Sequence, residues 1–396
     1  MPQWLTMFEG RLEIQPPLSD EQLAHVPAKR GNVMLLGEGD APIVLLSAAD
    51  MRGRLRARLA ERPADERRKT ADLREITRSI VWRVAWGHFE TDLHYLELAR
   101  AIWPQDYSQM LSWRRPWFVH VDPQEKFPHF VRTHDVLAGR GLYLGPLPDG
   151  ASAQKLVAVI EDVFGLCRDI RCLRLAPQGP PCPYSQMGKC VSVCDGKIPL
   201  QDYRGLIAQA ADWIAHRRGE LAQSLQSQMK ESAQSLKFEQ AGAIKAKLAR
   251  LAELDKPAYE QARPAQQFGF LLVQSGPSTR EARVFFADRG DVLAGEPLAF
   301  PPGPQQVQAM LATMSSLCAR QIDCPPPDAT LRQWRMGLVA SYLFSSPAKR
   351  GLVLPWREDM TVDAVTEAIN AAAEDLGLKA PKPRRKDGSQ SKESSQ

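Results

Sequence analysis

At 396 residues the chain is long enough for two to four domains, each with its own core. Its hydrophobic content of 44% and charged content of 24% are those of a globular protein. No apolar run approaches the ~20 residues of a membrane helix, and the N-terminus lacks a signal peptide's basic and apolar regions, so a cytoplasmic protein is expected. A net charge of +5 permits nucleic-acid binding without demanding it.

Residues 1–30 mix Pro, Glu and Leu without period and read as an irregular leader. Val33–Leu36 and Ile43–Leu46 are short apolar runs around the turn-rich spacer G-E-G-D-A-P, the pattern of a β-hairpin. A helix follows, with Asp50 as its cap and Met51, Leu55 and Leu59 on one face. Arg52, Arg54, Arg56 and Arg58 crowd that helix, with Arg62, Arg67, Arg68 and Lys69 behind them. Such a run is either a solvated face or a phosphate-binding surface. A strand is expected over Ile80–Trp86, then an amphipathic helix from about Glu90 to Ile102. Further strands are expected at V-H-V, F-P-H-F-V-R-T and G-L-Y-L-G-P-L-P.

An amphipathic helix over Ala151–Leu166 leads into the stretch Arg171–Gly196, which holds Cys172, Cys182, Cys190 and Cys194; Cys167 lies just upstream. The intervals of nine, seven and three residues, set among Pro, Gly and Lys, do not fit a core stripe. A disulfide framework belongs to small exported domains. Thiolates in an irregular loop point instead to a metal or cluster site, with iron-sulfur ahead of zinc. Leu206, Ala210, Trp213 and Ile214 then lie in helical register. Two further helical stripes come next, one through Leu221, Leu225 and Met229, the other through Ile244, Leu248 and Leu251. They meet at S-L-K-F-E-Q and form an antiparallel hairpin too small to be stable alone.

Beyond Lys256 lie a β-hairpin, F-G-F-L-L-V-Q with A-R-V-F-F-A-D, and a third strand, V-L-A-G-E-P-L-A-F. Helices near 304–317 and 330–343, the strand G-L-V-L-P-W and a helix over 362–376 complete an α+β domain. Cys318 and Cys324 are too few for a second metal site. The tail from 379 to 396 is polar and basic, and reads as disordered.

The run P-C-P-Y-S-Q-M-G-K-C-V-S-V-C-D-G, Pro181–Gly196, resembles the cysteine segment of the UvrC family of nucleotide excision repair nucleases. That resemblance implies a 4Fe-4S cluster on Cys182, Cys190, Cys194 and a fourth ligand, Cys172 or alternatively Cys167; zinc is the alternative metal. M-K-E-S-A-Q-S-L-K-F-E-Q-A-G-A-I-K-A-K-L resembles the UVR motif shared by UvrB and UvrC. It implies that Leu236, Phe238 and Glu239 at the turn dock a UvrB-like partner.

The hairpin, basic helix, strand and second helix resemble a GIY-YIG nuclease domain, with Arg54 on the family's catalytic arginine and Glu97 on its metal-binding glutamate. K-F-P-H-F-V-R-T and Y-L-G-P-L-P are similar to further UvrC segments. The signature tyrosines are missing: Asn32 and Val33 come after Gly31, and the second tyrosine is Val44. An aliphatic side chain cannot pass a proton or donate a hydrogen bond, so the domain resembles a degenerate one.

The expectation is therefore an α+β multidomain protein: leader 1–30, degenerate GIY-YIG-like domain 31–148, cysteine region 149–218, UVR hairpin 219–255, α+β domain 256–378 and tail 379–396. The resemblance implies a DNA-repair protein that binds DNA, through Arg52, Arg54, Arg56 and Arg58, and a UvrB-type partner, without family-type cutting. One alternative is a Mg2+- or Mn2+-dependent endonuclease rebuilt around Arg54 and Glu97, with Tyr95 or Tyr107 replacing the lost tyrosines. Another is a UVR-type regulatory adaptor.

Overall fold

The computed structural model describes residues 2–15, 19–60, 73–136, 139–320, 326 and 328–380. Arg62, Arg67, Arg68, Lys69, Cys324 and the tail beyond 380 lie outside them. Three antiparallel sheets organise these residues, together with nine helices of eight residues or more among those described.

The first sheet runs β1 (Gly10–Glu13), β4 (Ser79–Val84), β2 (Gly31–Leu36), β3 (Pro42–Ala48). The β2–β3 hairpin turns where Gly39 and Asp40 both take positive φ. Every side chain of β2 is buried because a helix covers each face of the sheet. Val33 and Leu35 pack with Met51 and Leu55 of α1 (Met51–Arg58). Met34 and Leu36 pack with Phe89 and Leu96 of α2 (His88–Ile102). This is the period-two alternation of a strand with apolar layers on both sides. Asp50 stands at the α1 N-cap, but its carboxylate accepts no capping bond.

The leader, expected to be irregular, supplies the edge strand β1, with Leu12 opposite Ile80. Its sequence gives little sign of this because β1 is four residues long and only half-buried. Its hydrogen bonds come from the exposed edge of β4, which no local pattern announces. Gly10 is required there, since a Cβ would fall 2.2 Å from the Trp82 ring.

The second sheet runs β6 (Val131–Thr133), β5 (Trp117–Val121), β7 (Leu142–Leu147), β8 (Arg263–Pro264). It packs on α3 (Gly150–Phe164), α4 (Leu200–His216) and the bases of α5 (Arg218–Gln234) and α6 (Phe238–Leu251) through one core containing Val119, Leu144, Leu156, Ile160, Tyr203 and Leu221. Strands β5–β7 pair with one another and with β8, and among the described residues none pairs with β1–β4. Val119, Val121, Leu144 and Leu147 pack with the cysteine region, while Phe118 and Tyr143 enter the core that holds Met34 and Phe89 of the first sheet and α2.

The third sheet runs β11 (Asp291–Ala294), β10 (Glu281–Asp288), β9 (Gly269–Ser275), β13 (Leu352–Pro355), with β12 (Leu298–Ala299) also on β10. Helices α7 (Pro304–Cys318) and α9 (Val362–Ala371) cover Leu271, Val273 and Val284 on one face. The other face, with Phe270, Leu272 and Phe285, shares a core with α8 (Ala329–Leu343) and with α2 of the first unit.

That shared core joins the chain's two ends. Phe89 stacks obliquely on Phe285 at 5.1 Å and edge-on against Tyr342 at 5.2 Å. Glu90, 3% exposed, accepts from Arg283 Nε at 3.1 Å and Nη2 at 2.9 Å, while its other oxygen accepts the Trp86 amide at 2.7 Å. Asp92 accepts the Tyr342 hydroxyl at 2.7 Å. Burial and the charges of Arg83 and Arg283 lower His94 to about 3, so it sits in this seam as a neutral ring. Helix α8 passes so close to residues 114–115 that a Cβ on Gly337 would lie 2.3 Å from the Arg114 carbonyl oxygen.

Removing one member of a buried ion pair strands the other. Glu90→Ala is expected to cost about 3–5 kcal/mol in urea unfolding, while a paired Glu90→Gln, Arg283→Met variant recovers part of it. A loss below about 1 kcal/mol for Glu90→Ala would show that the pair does not hold the seam.

Candidate functional site

Helix α3 ends at Gly165, whose left-handed φ of 66° turns the chain into the cysteine loop. The loop is fastened by its apolar members, since Leu173 and Val193 are buried with Tyr203. It is shaped by reversals at Gly188, Ser192 and Gly196, all at positive φ. The Ser192 hydroxyl donates to Ser185 beneath the loop, and Gly179 N–H donates to the Cys194 carbonyl at 2.8 Å.

These turns bring the five cysteines of this region near enough to act on one another's charge: Cys172 and Cys194 each feel Cys182. Cys194 also feels the charge of Cys190, and Cys167 feels Cys190, Cys194 and Cys172. Burial, then the neighbouring charges, pushes Cys167 up to about 12 and raises Cys172 and Cys194 as well. Several thiolates cannot be close neighbours without a cation to share, which suits this donor set to a thiolate-ligated centre rather than to a hard cation. Among the described residues no group of three or more His, Cys, Asp or Glu side chains forms a ready-made metal cage. The sulfurs are gathered without converging on one point. Cys167 is also held by its own bonds: its amide donates to the Tyr203 hydroxyl at 3.2 Å and its thiol to the Asp169 carbonyl at 3.4 Å.

Of the four arginines on α1, Arg52 is committed to the fold. Its Nε donates to the Val26 carbonyl at 2.8 Å and its Nη2 to Ala24 at 2.7 Å, pinning the entry to β2. Arg54, Arg56 and Arg58 are exposed, and among the described residues their one ion pair is a distant contact of Arg56 with Asp20 at 3.9 Å. Arg54 and Glu97 do not share a site. Arg54 lies on α1, over the sheet face of Val33 and Leu35; Glu97 lies on α2, over the face of Met34 and Leu36. Glu97 faces Arg83 at 3.6 Å, and Val44 offers only a half-buried aliphatic side chain. Tyr107 is buried near the Glu97 end of α2, while Tyr95 is half-buried.

Helices α5 and α6 form the expected antiparallel hairpin, turning through Ser235–Lys237 with Leu236 at a φ of 58°. Its base is fixed to α3 by Leu221, Leu225 and Leu251 and by charge. Arg250 Nε donates to Asp162 at 2.6 Å, Arg168 joins the same carboxylate, and Lys155 meets Glu253 at 2.6 Å. Its tip is bare: Leu236 is 74% and Phe238 66% exposed, with Glu239 exposed beside them.

Residues 116–213 match the family model described as the middle domain of the UvrC/Cho excinuclease. This span starts at the second sheet and ends in α4, short of α5, α6 and β8, which complete that sheet and its core. The UvrABC system protein C of Nautilia profundicola is 32% identical over 129 residues, covering 32% of this chain and 20% of the relative. Those of Syntrophotalea carbinolica and Caldicellulosiruptor saccharolyticus are each 26% identical, covering 57% and 59% of this chain and 37% and 39% of their own. The chain thus spans between a fifth and two-fifths of the length of these relatives. No solved structure matches.

Arg52→Ala is expected to cost about 1–3 kcal/mol, because it leaves two carbonyls unpaired. Arg54→Ala, Arg56→Ala and Arg58→Ala should each stay within about 0.5 kcal/mol of wild type in urea unfolding. Equal costs at all four positions would contradict this division of roles.

Proposed function

Because the middle of this chain is a UvrC-family domain, we propose that the protein acts in nucleotide excision repair by binding DNA and a UvrB-type partner, without cutting by the family's nuclease mechanism. The observation that carries the reading is the bare hairpin tip. Two large apolar side chains are held in water on a rigid two-helix arm whose base is buried. Covering each would contribute about 1.5–3 kcal/mol, enough for a specific contact with an apolar partner surface. Glu239 beside them would set register.

Arg54, Arg56 and Arg58 would meet duplex phosphates, since all three are exposed on one short helix. Arg52 would contribute only indirectly, by holding α1 in place. The cysteine loop would hold a 4Fe-4S cluster on Cys172, Cys182, Cys190 and Cys194. Cys172 is preferred over Cys167 because Cys167 is buried and tied to Asp169 and Tyr203, whereas Cys172 is half-buried in the loop. Four thiolate ligands leave a cluster no open position, so when bound it would brace the loop or exchange an electron. Zinc on the same thiolates remains the alternative metal. The endonuclease reading, with Mg2+ or Mn2+ at Glu97, loses support from the placement of Arg54 and Glu97 on opposite sides of the sheet. The regulatory-adaptor reading shares the hairpin but not the DNA contact.

Binding measurements separate these roles. Leu236→Ser with Phe238→Ser should weaken capture of a UvrB-type protein at least tenfold and leave duplex binding unchanged. Arg54→Glu with Arg56→Glu and Arg58→Glu should do the reverse, and should flatten the salt dependence of duplex affinity. Partner capture that survives the tip substitutions would overturn the docking assignment. Duplex binding that survives the charge reversals would overturn the DNA assignment.

A further inference from the structure

One carboxylate near the end of α3 receives cations from two other parts of the chain. Asp162 Oδ1 accepts from Arg168, at the start of the cysteine loop. Its Oδ2 accepts from Arg250, in the last turn of α6, through Nε at 2.6 Å and Nη2 at 2.5 Å. The Asp162 and Arg168 side chains are only 21% and 19% exposed, so solvent screens their attraction little. Among the described residues Arg168 donates hydrogen bonds to Asp162 alone, and its Nε is buried without a partner. The same guanidinium lies over the Tyr184 ring at 4.9 Å. Tyr184 stands two residues after Cys182, in the short helix Pro183–Gln186. Tyr184, Arg168, Asp162 and Arg250 therefore form one continuous line from the cysteine loop to the base of the α5–α6 hairpin.

The loop sulfurs are gathered without converging, so holding a metal requires segment 182–194 to draw in and become fixed. Fixing Tyr184 confines Arg168, and a confined Arg168 holds Asp162 in one rotamer. The freedom of that carboxylate is then already lost before Arg250 docks on it, which makes the docked state of the hairpin base more favourable. The base governs a long arm: α5 has seventeen residues, a length of about 25 Å. A second ion pair, Lys155 with Glu253 at 2.6 Å, also joins α3 to the hairpin. Among the described residues it has no hydrogen bond or ion pair to the loop, so it anchors the base without sensing the cysteines.

We propose that Asp162 is a relay between the cysteine loop and the hairpin, so that metal held by the loop tightens the hairpin base. Asp162, Arg168 and Arg250 are positioning residues in this device. The inference rests on the proposed thiolate centre, and the two fail separately.

Amide hydrogen exchange of the full chain tests it, comparing chelator-treated protein with protein reconstituted anaerobically with iron and sulfide or loaded with Zn2+, bound metal being quantified in each sample. In wild type, loading should slow exchange at 218–225 and 248–254 at least fivefold. Asp162→Asn should take up the same amount of metal and lose that slowing. Arg250→Gln, at a partly exposed side chain, should do the same and decides the matter if Asp162→Asn fails to fold. Lys155→Met should keep the slowing. Metal uptake by wild type with unchanged exchange, or slowing that survives in either folded relay variant, would overturn the relay; the second result would assign the effect to the apolar core that Leu173 and Leu221 share. Loss of the slowing in Lys155→Met would also overturn it, because any weakening of the base would then suffice. No metal uptake by wild type would overturn the thiolate centre and the relay with it.

Discussion

The carboxylate of Glu90, buried against Arg283, ties together residues 193 positions apart and with them the two ends of the chain. Its second oxygen caps the Trp86 amide, so the same side chain fixes how α2 leaves β4. Helix α2 is thereby held in one rotation, with Phe89 and Leu96 in the shared core and Glu97 turned toward Arg83. Helix α1 must then cover the opposite face of the first sheet, because β2 buries its side chains on both sides. The separation of Arg54 from Glu97 comes from this packing rather than from any loop that could rearrange.

A second dependence runs through α3. One face is buried under the second sheet; its C-terminal turn launches the cysteine loop, and Asp162 near that turn receives Arg250 from the hairpin base. Burial raises Glu161 to about 7 on the same turn, with Arg168 acting against it. The cysteine loop and the two-helix hairpin are thus both anchored on one helix. Any rearrangement of the loop around a metal centre would be felt at the hairpin base first.

Much of this fold is legible in the sequence where a periodic pattern and a local stop signal coincide. The β2–β3 hairpin, α2, the α5–α6 hairpin and the helices of the last unit fall near their expected places for that reason. The gathered cysteines are legible from density alone. The features that cannot be read depend on partners far along the chain. Strand β1 is visible only as the missing neighbour of β4, and β8 is a two-residue strand closing a sheet begun more than a hundred residues earlier. The ladder from β5–β7 to β8 cannot be read either, because the turn after β7 looks like a domain end. Glu90, Asp92, Arg283 and Tyr342 carry no signal, because the partner of each lies 193 or 250 residues away. The expectation that Arg54 and Glu97 form one site comes from matching motifs in line, which cannot tell the two faces of a sheet apart.

Under the proposed function the first unit binds DNA and does not cut it. The most direct test is incision of end-labelled, lesion-bearing duplex with Mg2+ or Mn2+ and a UvrB-type partner, comparing wild type with Glu97→Ala. The account predicts no incision by either protein under conditions where a DNA–protein complex forms. Incision by wild type that disappears in Glu97→Ala would contradict it, and would mean that a cutting site has been rebuilt around α2.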